Sequence, residues 1–418
     1  MARSLLKHFS FILVLCSLTI TPTAATAFYE WHDENQSLYF GGFFRLAGTG
    51  VDYPDNTFLY EGEDNFLWDS DARILLDGNF GDHFLLKANL LQTVRSTGLL
   101  NRSTIHASPL TVERSSSLIW QQKDSEDFNA YLFLDSFNLQ WSSANGSITV
   151  GRQPISMATT FYFTPNDLFA PFPAQAFFRV YKPGVDSVRA EMKLGNLSQL
   201  SFIGVLGYDE DISSDNGWDS SPEWDKTSLI SRLVFAAQGF EWGLLGGTAN
   251  DRTIGGGSLQ GEIANWLGLR LEGHYAWPED DGIDEYLLLT VGLEHRFPSS
   301  LTARFEQFHN GQGFSSITDA VTSIQQGDYS GFYLGENYSA LSLGYEFSPL
   351  LYGEFLALVN WSDDSQLYTA NAIYSLSDES ELSAVLSLPN GDEPDNESIN
   401  SEFGTRPWAG SLEYRLYF

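Results

Sequence analysis

Cysteine is almost missing from this chain: its 418 residues hold one, Cys16. Long apolar runs are missing too. The one run that stands out, residues 9–20, is 12 residues long. Spanning a bilayer as a helix takes roughly 20. Arg3 and Lys7 precede this run, and Ala25, Thr26 and Ala27 follow it. That is the pattern of a cleaved export signal, so residues 1–27 are expected to be removed and the mature chain to begin near Phe28. Leu15 stands before Cys16 where lipidation needs a small residue. With Cys16 gone, no disulfide, thiolate nucleophile or cysteine-bound metal is available. Cations are scarce as well, with 22 Lys and Arg against 54 Asp and Glu and a net charge of −32. Removing Arg3 and Lys7 leaves 20 against 54, a net of −34. This balance excludes nucleic acid as a partner.

Catalytic motifs are absent: there is no GxSxG, HExxH or phosphate-cradling loop. Histidine is sparse, at His8, His32, His83, His106, His274, His295 and His309. His274 shares a face with Glu272 and has the chemistry of a base. No nucleophile can be matched to it, and no enzyme and no cofactor are expected. His295 falls on the opposite, apolar face near a strand end.

What the chain does have is aromatic residues, 31 Phe, 19 Tyr and 11 Trp, with a slightly negative mean hydropathy. It also has alternation. Leu269, Leu271, Tyr275 and Trp277 lie on one face and Arg270, Glu272 and His274 on the other. Residues 287–297 and 188–194 repeat the pattern, which is that of a half-buried strand. Eighteen such segments can be placed, near 38–47, 67–79, 83–94, 129–142, 146–154, 185–194, 198–207, 228–237, 240–248, 256–264, 268–277, 286–297, 300–309, 339–347, 351–361, 366–376, 380–388 and 408–418. Connections after even-numbered segments are short and carry Gly, Asn, Pro and Asp, as tight turns require. Those after odd-numbered segments are mostly long: 48–66, 95–128, 155–184, 208–227, 310–338 and 389–407. No repeat of fixed period points to a propeller or a β-helix. The expectation is an all-β chain, residues 28–418 forming one transmembrane antiparallel up-and-down β-barrel. Its turns are short and periplasmic and its loops long and extracellular. Eighteen strands is the count preferred, with 16 left open.

Parity sorts the charges. Arg45, Arg73, Lys87, Arg189, Lys193, Arg232, Arg270, Arg296, Arg304 and Arg415 point inward. So do Asp71, Asp77, Glu191, Glu241, Glu262, Glu272, Glu294, Glu306, Glu346, Glu354 and Glu413. A wall so balanced braces itself by lateral pairing, or offers a ladder of cations to anionic solutes. The surplus acid lies in loops 53–65, 208–225, 278–285 and 389–402. Those loops are either a solvated rim or a mouth that concentrates cations or divalent ions bridging lipopolysaccharide. Asp209, Asp211, Asp215 and Asp219 do not have the spacing of an EF-hand loop, so no metal site is assigned.

Loop 155–184 differs from the acidic loops. It is rich in Pro and carries Phe161, Phe163, Phe169, Phe172, Phe177 and Phe178. Rings in that number avoid water, and a loop of this length usually works or folds back. The expectation is that it folds into the lumen as a constriction, with Arg179 and Lys182 facing Asp167 or the wall. Parity slips at Gly151, Arg152 and Gln153, which predicts a bulge at the loop's base.

The last residues, with Leu412, Tyr414, Leu416 and Phe418 on one face, resemble the C-terminal signature of Gram-negative outer-membrane proteins. That resemblance implies recognition by the barrel-assembly machinery and residence among outer-membrane lipids and lipopolysaccharide. The size and layout are similar to 16- to 18-stranded porins. Gly151-Arg152-Gln153 and the run from Arg179 through Tyr181, Lys182 and Pro183 to Asp186 resemble porin-like proteins of proteobacteria. The resemblance implies a porin passing small hydrophilic solutes through a charged lumen. Glu191, Glu294, Glu306 and Glu413 line it with the cations named above. A homotrimer is the common assembly of such porins. Two relatives leave other readings open: the barrel sheath of a porin–cytochrome conduit, with a periplasmic cytochrome partner, and an export channel for an anionic polymer. No haem-attachment CxxCH is present, and the lumen is not dominated by arginine.

Overall fold

The computed structural model describes residues 29–54, 65–97, 112–177, 179–279, 284–326, 329, 331–395 and 398–418. The expected signal, most of loop 53–65, His106 and Phe178 fall outside them. Eighteen strands close into one antiparallel ring. In chain order they are β1 (Gln36–Asp52), β2 (Phe66–Phe80), β3 (Phe84–Ser96), β4 (Phe128–Ser143), β5 (Gly146–Gln153), β6 (Val185–Gly195), β7 (Ser198–Glu210), β8 (Trp218–Ala237), β9 (Phe240–Ala249), β10 (Arg252–Ile263), β11 (Leu267–Pro278), β12 (Tyr286–Arg296), β13 (Leu301–Asn310), β14 (Asn337–Ser348), β15 (Leu351–Asn360), β16 (Gln366–Ser377), β17 (Ser380–Asn390) and β18 (Trp408–Tyr417). Each pairs with its neighbours in sequence, and β18 returns to β1.

The closing seam lies toward the end of β1. It pairs Phe43–Asp52 of β1 with β18, Leu46 lying opposite Tyr414. The residues before Phe43 are already engaged, because a short strand, Tyr29–Asp33, folds back on Gln36 to Phe40. The edge that β18 leaves bare is thereby paired.

Alternation decides which way each strand faces. Outward residues such as Leu139, Val150, Val188, Phe202 and Leu244 are exposed apolar side chains. Near the short-turn rim they give way to Phe84, Trp141, Trp242, Trp266 and Phe347. An apolar belt edged by aromatic rings suits lipid rather than water. Among the described residues no helix is long and apolar enough to cross a membrane, which says nothing of crossing by strands.

Several segments depart from the sequence reading. The span 208–227 is mostly hairpin, since β8 starts at Trp218 and pairs with β7 across two irregularities. Above the membrane both faces of a strand are wet, so alternation fades and Pro222 disguises the strand. Loop 310–338 carries a helix, α1 (Ile317–Gln326). In β4 the register steps from Ser136 to Leu134 against Asn89 and Leu90 of β3, leaving Asp135 as an extra residue turned inward. Gly151 holds φ at +118°, at the site of the predicted slip.

That slip marks where the chain leaves the wall. β5 ends at Gln153, the chain runs inward, and the wall resumes only at Val185. The vacated edge of β4 is taken by a short strand from the preceding loop, Ile119–Asp124, which pairs with Phe133 through Asn129. Below it, Arg152 is fully buried. Its Nε and Nη2 grip Asp186 at 2.8 and 2.9 Å, and it donates to the carbonyls of Ser115 and Leu134. The second loop therefore patches the opening made by the third.

Candidate functional site

The third long loop, residues 154–184, lies inside the barrel. Its apolar side chains Ile155, Met157, Ala170 and Leu168 pack on inward residues of the wall, among them Ile203, Ile230, Leu245 and Ile254. Further along, Tyr162 and Phe163 join Phe308, Tyr338 and Leu356. This apolar inner wall is why a lumen tolerates such rings: Phe161, Phe163, Phe169 and Phe177 pack against the two clusters.

Two carboxylates hold the loop's backbone. Glu272 on β11 accepts from the N–H groups of Thr159, of Thr160 at 2.9 Å and of Asn166 at 3.1 Å. Glu306 on β13 accepts from Phe161 at 2.5 Å, Tyr162 at 2.9 Å and Phe163 at 3.0 Å. Both are wholly buried. A loop that turns through the lumen has no ladder to satisfy its amides, and these carboxylates supply the acceptors. His274 sits beside Asn166, its Nδ1 3.2 Å from the amide oxygen. Glu272 is committed to the loop, so the pair does not form a base and its partner.

The loop's own cations tie it internally. Lys182 donates to both oxygens of Asp167 at 2.6 Å and to the Ala170 carbonyl at 2.6 Å. Burial pushes the Asp167 carboxyl up and the Lys182 ammonium down, and their mutual attraction opposes both shifts. Among the described residues Arg179 pairs with no carboxylate. Its guanidinium is ringed by the carbonyls of Ala176 and Ala174 at 2.6 Å, of Pro173 at 3.3 Å and of Phe161. Phe161 itself lies between two guanidiniums from the wall, Arg270 at 4.1 Å and Arg304 at 4.5 Å from its ring centre. The Tyr162 hydroxyl donates to Glu354 at 2.7 Å. Near its end the loop reaches β1 and β2, where Tyr181 stacks on Phe43 at 5.2 Å under the Arg73 guanidinium.

The other inward charges fall into two groups. One is dense and buried. Arg45 contacts Asp69 and Asp71 at 2.5 Å and Glu413 at 2.6 Å. Arg415 contacts Glu413 and, at 3.2 Å, Glu381. Arg73 and Arg114 share Asp135 at 2.6 and 2.9 Å. The other group is more open. Arg304 pairs with Glu294 at 2.6 Å, Arg189 with Glu191 at 3.7 Å, Lys87 with Asp77 at 3.8 Å and Arg296 with Glu346 at 3.5 Å. Lys193 reaches the Ala144 carbonyl at 3.4 Å, at the short-turn rim, and Arg232 on β8 is partly buried. Sequence reasoning missed Asp69, Arg114, Asp135, Asp186 and Glu381. Asp69 and Glu381 share the inward phase of their strands and were legible there. Asp135 was hidden by its bulge, and Arg114 and Asp186 lie where loops meet the wall. On the outside of β18, Leu412, Tyr414 and Leu416 form the lipid-side row, while Glu413 and Arg415 are buried inward.

No family model and no curated protein matches the sequence. Solved structures do. Pseudomonas aeruginosa OccK2 (OpdF) aligns over 91% of this chain and 98% of its own, with a TM-score of 0.58 and 11% identity. Acinetobacter baumannii OccAB1 aligns over 91% and 97%, with 0.56 and 12%. OccAB4 of the same organism aligns over 92% and 98%, with 0.55 and 10%. At such identity the likeness is one of fold.

Proposed function

We propose that this chain is an outer-membrane porin of a Gram-negative bacterium, passing small hydrophilic solutes by diffusion and catalysing no reaction. The observation that carries the reading is the third loop, held inside an 18-stranded barrel by Glu272 and Glu306. A loop anchored there takes up part of the lumen and leaves a narrower path. Arg270 and Arg304 lie against the ring of Phe161, while Arg189 and Glu191 stand on β6 and Arg232 on β8. The pairing of Arg304 with Glu294 and of Arg189 with Glu191 favours weak selectivity over a track for an anionic polymer. The space the loop occupies speaks against a lumen built to house a cytochrome. The apolar row Leu412, Tyr414, Leu416 and Phe418 serves as the signal read during assembly.

Refolded protein in a planar lipid bilayer tests this. Stepwise, ohmic conductance in KCl with no added partner is expected. Silence that ends only when a multi-haem periplasmic protein is added would replace the porin with a conduit.

A further inference from the structure

We propose that the cavity on the long-loop side of the third loop is a binding site for a neutral sugar, a mono- or disaccharide, captured before it passes the constriction. The proposal deepens the porin reading and rests on it for the route the sugar takes. The cavity holds about 450 Å³, within the range of small-molecule sites.

Its lining is mixed. Part is aromatic: Phe308, Phe169, Tyr333, Tyr329 and Phe332 border it. Phe308 and Tyr333 are fixed by their contacts with Phe163. Phe332 is 57% exposed, a ring face left open on a loop. Flat apolar faces of this sort take the C–H face of a pyranose ring while its hydroxyls point away.

Part is polar, with Asn250, Gln312, Arg252 and Glu113. These supply both donors and acceptors, as a hydroxyl requires. The charges decide against an ion. Asp167 is matched by Lys182, and Lys226 by Asp209 at 2.6 Å. What remains is one guanidinium and one carboxylate. Arg252 gives a hydrogen bond to the Tyr286 hydroxyl at 2.7 Å. Glu113 accepts the Tyr208 N–H at 2.8 Å. An anion or a cation entering here meets its like charge as well as its opposite. A neutral polyol uses both, taking donors from the guanidinium fork and giving its own protons to the carboxylate.

The test is isothermal titration of the refolded barrel in detergent with maltose, cellobiose, lactose and sucrose, beside sodium benzoate and arginine hydrochloride. Binding of at least one sugar with a millimolar or tighter Kd, insensitive to salt between 0.1 and 1 M, is expected. Phe332→Ala and Gln312→Ala should each weaken it at least tenfold. Both residues sit on the loop after β13, away from the wall, and unchanged heat-modifiable migration of the variants would confirm the fold. If none of the four sugars binds, or if benzoate or arginine binds better and loses affinity with salt, the sugar site is overturned. The titration needs no conducting pore, so a barrel silent in bilayers that still binds sugar would sink the porin reading alone.

Discussion

Glu306 on β13 and Tyr162 in the third loop meet through the loop's backbone, the Tyr162 N–H lying 2.9 Å from the carboxylate. The same carboxylate takes the amides on either side of Tyr162, so one strand residue fixes a full turn of the loop. Glu306→Ala would leave three buried N–H groups without acceptors. Hydrogen bonds to a charged group are worth about 1.5–3 kcal/mol each, although a freed loop regains part of that from water. The variant is expected to stay folded, to lose about 3 kcal/mol of stability, and to conduct in larger, noisier steps. Single-channel recording beside urea unfolding would show it. Conductance identical to the parent would mean that the loop does not limit flow.

The wall charges separate into pairs that matter for stability and pairs that do not. Arg45 is buried among Asp69, Asp71 and Glu413. Removing it as Arg45→Ala takes their shared cation from Asp69 and Asp71 and leaves Glu413 with Arg415, and breaking a buried pair costs about 3–5 kcal/mol. Arg296 and Glu346 are more than half exposed at 68% and 56%, and Arg296→Ala should change stability by about 1 kcal/mol or less. The unfolding midpoint of each variant on heat-modifiability gels gives the comparison. Equal losses would contradict it.

How legible was this in the sequence? Each of the 18 strands lies where alternation placed it, because membrane strands must keep apolar residues on every second position. The signal failed wherever that pressure stops. The upper part of β8 and the strand Ile119–Asp124 stand clear of lipid and carry polar residues on both faces. The loop's inward course was legible in its composition, since Phe161 and Phe163 demanded cover, and Lys182 does reach Asp167. Its anchoring was not. Glu272 and Glu306 bind backbone amides, and a backbone amide has no letter in a sequence. Arg179 illustrates the same limit: expected to face Asp167 or the wall, it donates to four carbonyls of its own loop.

The patch over the opening between β4 and β6 predicts a local weakness. Arg152 fits Asp186 by its planar fork and reaches two carbonyls besides. Lysine has one ammonium and cannot reproduce that geometry. Arg152→Lys is therefore expected to free residues 112–124 while the barrel stays closed. Limited proteolysis should show new cleavage there and nowhere else. A cleavage pattern matching the parent would show that the patch holds without the arginine.

Glu402 gives the rim a dependence on pH. It lies in the loop after β17, fully enclosed, and accepts from the Tyr338 hydroxyl, from Asn360 Nδ2 at 2.9 Å and from the Leu334 N–H at 3.3 Å. Asp363 lies close by, accepting the Glu402 N–H at 2.6 Å, and Arg406 contributes an opposing positive field. Burial pushes the carboxyl up to about 7 from an ordinary 4.5. Below 4.5 both folded and unfolded forms carry the proton, and the cluster is at its most stable. As pH rises toward 7 the unfolded chain loses its proton first, so stability falls, and above 7 the loss is complete. It amounts to roughly 3 kcal/mol at most. Hydrogen exchange in residues 398–407 should therefore be better protected at pH 5 than at pH 8, relative to Glu402→Gln, whose protection ratio stays flat. Parallel behaviour of the two proteins would rule the linkage out.

Ion selectivity follows from where the surplus acid lies. On the porin reading, the surplus acid of the long-loop rim sets the field at the mouth, with Asp211 and Asp215 in the connection between β7 and β8 and Asp219 at the start of β8. Exposed charges act over a Debye length, about 10 Å at 0.1 M salt and about 3 Å at 1 M. At low salt their fields overlap across the mouth and raise the local concentration of cations. At high salt each acts only on its own surroundings. Reversal potentials across a KCl gradient should therefore show preference for K⁺ near 0.1 M that fades toward none near 1 M. Changing Asp211, Asp215 and Asp219 together to Asn should remove much of the low-salt preference and leave the conductance at 1 M unchanged. If selectivity persists at 1 M, its origin is in the screened interior, at pairs such as Arg304 and Glu294, and not at the rim.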